Sequence, residues 1–141
     1  MKVLFLILAF GFLLALTACR ALRHEPRLDG KWRSNKDETV SAWKHEGIIQ
    51  AKVIDRFEKE VLGKMVVTYA GRRVTSTSDD WVENSKYRIV DGGTDYVVFD
   101  QFSSVYKRTL RWKVRFVKDG YWISNDEILK GYTEKFDRVT E

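Results

Sequence analysis

Few side chains in this 141-residue chain are of a type that does covalent, proton-transfer or metal chemistry. Cys19, in "LTACRALRHEP", is the single cysteine, and it stands where a greasy segment meets a charged one. Of the two histidines, His24 follows that junction and His45 sits off the apolar stripe of a helical stretch; neither has a partner at metal-ligand spacing. Asp79-Asp80 precede Trp81 in "STSDDW", which reads as a solvated loop ahead of an acid or metal site. Asp100 and Asp119 read as strand-edge and hairpin residues, and no glycine-rich phosphate loop is seen. An enzyme needs a nucleophile with a base, a carboxylate pair or a ligand cluster. The expectation is therefore a non-enzymatic protein with no cofactor and no metal. That leaves the Cys19 sulfur as a core thiol, a nucleophile, a ligand or a point of attachment.

Met1-Lys2 is followed by an uncharged run from Val3 to Ala18, and then by Arg20 and Arg23. A basic start, a short apolar run and small residues at its end describe an export signal. The run is shorter than the roughly 18 to 20 residues of a spanning helix; an uncleaved anchor with an incidental cysteine is the plainer alternative. Leu16-Thr17-Ala18-Cys19 resembles the lipobox of bacterial lipoproteins. The resemblance implies cleavage between Ala18 and Cys19 and acylation of Cys19 with diacylglycerol and a fatty acid such as palmitate. It further implies a lipid-anchored protein of the bacterial cell envelope. Arg20, in place of an aspartate, resembles the pattern sorted to the outer membrane, with the domain in the periplasm. An exported chain with one unpaired cysteine calls for an explanation, and acylation supplies it.

The net charge of +5 is modest and interspersed, and export argues against nucleic acid as a partner. Residues 1–18 are expected to be the signal, 19–29 a lipidated tether and 30–141 one domain. The basic tether suits anionic headgroups or is simply solvated.

After a turn at Asp29-Gly30 comes a short strand at Lys31-Trp32-Arg33. Ser34 with Asp37 is a helix-start signal. Val40, Trp43, Gly47, Gln50, Ile54, Phe57 and Val61 then form one helical stripe. An unbroken helix over 36–62 would run about 40 Å, too long for a domain whose radius of gyration is about 14 Å; a break near Gly47 is expected. From Gly63 the period becomes two. The cleanest case is "TLRWKVRF", with Leu110, Trp112, Val114 and Phe116 opposite Arg111, Lys113 and Arg115. About eight strands follow one another through tight turns, which predicts a mainly β fold. The expected form is an antiparallel up-and-down meander closed into a barrel, with one broken helix between its first and second strands.

Gly30-Lys31-Trp32 and the ending "KFDRV" resemble the opening Gly-x-Trp and closing strand of lipocalin-like (calycin) barrels. The resemblance implies that Arg138 lies across Trp32 at the closed end, a structural pair worth about 0.5–2 kcal/mol. The helical stretch is longer than in typical lipocalins, and the chain looks more like small bacterial lipocalin-like lipoproteins running "GKWRSN", a helix, "GKMVVTY" and "YW".

Aromatic residues make up 13% of the chain. Tyr69, Tyr87, Tyr96, Phe102, Trp112, Phe116 and Trp122 are the candidates for lining an interior pocket, or for simply filling a core. Strand 94–102 is apolar on both faces, so one face is expected to take the helix, as a plug or a gate. Two readings follow. One is a membrane-tethered binding module for a small apolar or amphipathic ligand. The other is a solid barrel that docks on another envelope protein, as an inhibitor or assembly factor would. An enclosed volume of a few hundred cubic ångströms favours the first; a packed interior and an exposed apolar patch near Trp81 favour the second.

Overall fold

The computed structural model describes residues 23–140; the leader, Ala18 and Cys19 lie outside the described residues. The chain is mainly β. Strands β1 (Gly30–Ser34), β2 (Val66–Ala70), β3 (Arg73–Ser78), β4 (Trp81–Gly92), β5 (Tyr96–Ser103), β6 (Arg108–Val117), β7 (Gly120–Ser124) and β8 (Thr133–Arg138) run antiparallel in sequence order. They close into an eight-stranded barrel. Helices α1 (Lys36–Glu46) and α2 (Ala51–Glu60) lie between β1 and β2.

Closure runs through Trp32, which pairs with Val67 of β2 on one side and with Arg138 of β8 on the other. Because side chains alternate along a strand, the register assigns every residue a side. Leu110, Trp112 and Val114 face inward with Phe99 and Ile123, while Arg111, Lys113 and Arg115 face out. A bulge between Ile89 and Asp91 bends the long strand β4 toward the closed end. That strand starts at Trp81, six residues before the alternation at Tyr87 becomes clear, because polar residues on both faces of its first half hide the period.

The helix breaks where expected. Gly47 holds φ +67° and its N–H donates to the Trp43 carbonyl at 3.1 Å, the left-handed ending that glycine adopts without strain. The chain re-enters helix out of phase with α1, so Ile49 and not Gln50 is buried beside Ile54. The start lies one residue later than Ser34: Asn35 is the cap, accepting from the Glu38 N–H at 3.0 Å, while Ser34 points into the barrel.

The helix does not cover β5. α1 packs on the outside of β8, where Trp43 Nε1 donates to the Thr133 carbonyl at 2.6 Å and Lys135 N–H donates to Thr39 Oγ1 at 2.9 Å. The reason is topological: α1 leaves directly from β1, whose closing neighbour is β8, and β5 is on the far side of the barrel. Asp100, in mid-β5 and not at an edge, faces outward between Arg111 (2.8 Å) and Arg88 (3.3 Å).

Two clusters hold the fold. One fills the closed end of the barrel, from Leu28 and Trp32 to Tyr87, Phe99, Tyr121 and Phe136. The other joins the helices to Tyr132, and Trp112 touches both. The closed end is sealed by a segment expected to be tether. Leu28 is fully buried, its carbonyl accepts from Trp32 Nε1 at 2.6 Å, and the Glu25 N–H donates to the Tyr87 hydroxyl at 2.8 Å. Arg138 lies 4.2 Å above the Trp32 ring and donates to the Asp29 carbonyl, and Arg27 lies 4.3 Å above Phe116.

Gly120 marks the tightest point, since a Cβ there would come within 2.0 Å of the Phe136 carbonyl oxygen. Gly120→Ala is expected to cost at least about 2 kcal/mol by forcing β7 from β8, read as a lower urea midpoint.

Candidate ligand-binding cavity

The sealed end fills only part of the interior. Toward the other end, inward positions carry smaller or polar side chains: Ser76 on β3, Glu83 on β4, Gln101 and Ser103 on β5. Rings stop there and a cavity of about 390 Å³ opens, walled by Val67, Val74, Leu110, Trp112, Ile123 and Phe136. Its far rim is formed by Phe57 and Val61 of the α2 region, Ile128, Trp81, Val105 and Tyr106. The helices therefore line one side of the mouth without closing it.

Polar groups converge at two places inside. Glu134 is buried on β8 and receives hydrogen bonds from the Ser34 and Tyr132 hydroxyls. Burial pushes its carboxyl above the ordinary value of 4.5, and the two hydroxyl donors only partly oppose this. Deeper, the Tyr69 and Tyr121 hydroxyls lie beside each other, both pushed up by burial. The Tyr121 hydroxyl is buried yet makes no hydrogen bond of ordinary geometry. An unpaired buried hydroxyl is costly, and a guest in the cavity is one means of pairing it.

The seven aromatic candidates divide three ways. Tyr69 and Trp112 line the cavity. Tyr87 and Phe116 belong to the packed closed end. Tyr96, Phe102 and Trp122 face outward, a correction that strand parity requires: they pair with Arg115, Thr109 and again Arg115 on the outer surface. Lys113 lies 5.5 Å over the Tyr96 ring, and Phe102 is 54% exposed. Tyr121, next to the chosen Trp122, is the inward residue of that pair. It was reachable through parity, because Phe116 pairs with Tyr121. Glu134 gave no such signal, since the charged run "TEKFDR" reads as solvated surface.

His24 lies 3.4 Å from Asp29 on the surface, His45 is in the exposed last turn of α1, and Asp79-Asp80 form the exposed β3–β4 turn. None of these four reaches the cavity.

The fold and cavity together define a closed eight-stranded antiparallel barrel, consistent with a lipocalin-like fold and compatible with a binding module. Compared with known proteins, the chain matches no family model, no curated protein and no solved structure.

Burial of Glu134 sets a pH dependence. Its folded-state pKa is raised, so folding favours the protonated form; its contribution is fully present below about 4.5 and is lost as pH rises through the higher folded value. Glu134→Gln is expected to remove that fall, so that wild type and variant diverge as pH rises from acid toward neutral, with the variant the less pH-sensitive. Thermal melts across that range check it.

Proposed function

We propose that this chain is a membrane-anchored lipoprotein of the bacterial envelope whose barrel binds a small apolar or amphipathic molecule without chemical conversion. The cavity carries the reading: about 390 Å³, enclosed mainly by apolar walls with a few convergent polar groups, is the size and character of a small-molecule site. Acylation of Cys19 supplies the anchor. Since the chain enters at the sealed end, through Glu25 and Leu28, that end would face the membrane of attachment and the mouth would face the periplasm.

One observation favours the alternative of docking on an envelope protein. Trp81, Val82, Phe102, Val105 and Tyr106 are exposed together on one side of the mouth, where the β3–β4 and β5–β6 turns meet. Such a lip suits a partner surface, and it equally suits the entry of an apolar guest.

Native mass spectrometry of residues 20–141, purified gently from a bacterial host, separates the two. The described closed barrel lies within that span. A discrete extra mass, lost on denaturation and absent from Ser76→Phe of similar melting temperature, is the expected result, because the phenyl ring fills the cavity. Bare protein in both forms favours the docking module. For the anchor, Cys19→Ser in the full chain is expected to abolish fatty-acid incorporation and release the protein from the membrane fraction; retention of both sinks the attachment.

A further inference from the structure

The cavity has an unusual charge pattern for a protein with net charge +5. Among the described residues that line it there is no lysine, arginine or histidine. Its two ionisable carboxyls are Glu134, deep on β8, and Glu83, half-buried on β4 nearer the mouth. Glu83 accepts from the Ser104 N–H and Glu134 from Ser34 and Tyr132, so both are held in place by donors of the wall. The cations of β6 that might have answered an anion, Arg111, Lys113 and Arg115, alternate to the outer face.

An anionic headgroup entering here would lose its hydration, meet no opposite charge and approach two carboxyls. The burial that already disfavours the charged form of Glu134 acts equally on a second anion. What the cavity does offer is the buried, unpaired Tyr121 hydroxyl beside that of Tyr69, able to donate to or accept from an uncharged polar group. Above these hydroxyls, Val67, Leu110, Trp112 and Ile123 supply apolar wall.

We infer that the cavity selects an amphiphile whose buried end is an uncharged hydroxyl or carbonyl paired with Tyr121, and rejects carboxylate-headed molecules such as fatty-acid anions. This rests on the reading of the cavity as a ligand site.

The test is competition by decanol and decanoate, at neutral pH and below micelle formation, for N-phenylnaphthylamine bound to residues 20–141. Decanol is expected to bind at least about tenfold more tightly, a gap of 1.4 kcal/mol. Tyr121→Phe is expected to weaken decanol about threefold to tenfold, the range of one hydrogen bond, while the melting temperature holds or rises because an unpaired buried hydroxyl is gone. Glu134→Gln is expected to narrow the gap by raising decanoate affinity, and Glu83→Gln, at a less buried site, gives the same readout if the first variant does not fold. Equal affinity of wild type for the two chains overturns the inference and leaves the binding module standing. A gap unchanged in both glutamine variants, or decanol binding indifferent to Tyr121→Phe, also overturns it. Absence of any binding, by the reporter and by native mass, overturns the inference and the binding reading together.

Discussion

A sheet of eight strands that closes on itself encloses a space just wide enough for side chains to fill or for one small molecule to enter. Everything inside this barrel follows from how the sequence spends its inward positions. At the closed end they hold Trp32, Tyr87, Phe99, Tyr121 and Phe136, and their rings meet at 4.9 to 6.5 Å in tilted, edge and stacked contacts. At the open end the same positions hold Ser76, Glu83, Gln101 and Ser103, which cannot fill the same width. The barrel is thus solid at one end and hollow at the other, a division written in residue size along β3, β4 and β5.

The helices work on the outside of this division. α1 is fastened to β8 by Trp43, Thr39 and Asn35, and α2 brings Phe57 to the rim. Trp112 reaches from the barrel wall into the cluster beneath the helices, so the mouth is shaped by both bodies. Glu134 is the one carboxyl drawn fully inside. Its desolvation is tolerated because Ser34 from β1 and Tyr132 from the β7–β8 connection converge on it. Ser34 also accepts from the Gly63 N–H at 2.9 Å, which ties the end of the helical excursion to the same point.

Much of this architecture was legible in the chain. Period-two alternation in "TLRWKVRF" and tight turns at Gly71, Gly92 and Gly120 carried the strand count, and Gly47 carried the break in the helix. The site was less legible. Composition singled out aromatic residues, but only the register says on which side of the sheet each one stands. Tyr96, Phe102 and Trp122 are outward by one position, while Tyr121 and Tyr132 went unselected. Glu134 was invisible because sequence cannot say that a charged run at β8 turns one carboxyl inward, nor that a helix covers Lys135 from outside. The docked segment at Leu28 was missed for a related reason: its basic neighbours suggest solvent, whereas Arg27 makes its contacts to the Gly93 and Thr94 carbonyls and the Phe116 ring.

The central claim is that the interior is packed at one end and empty at the other. Methyl-resolved NMR of the domain under xenon pressure tests it, because xenon enters dry apolar cavities. The account predicts shifts at the methyls of Val67, Val74, Leu110 and Ile123, which wall the cavity, with Val97 and Val114 in the closed end unmoved. Shifts absent from the first group, or spread evenly over both, would contradict it.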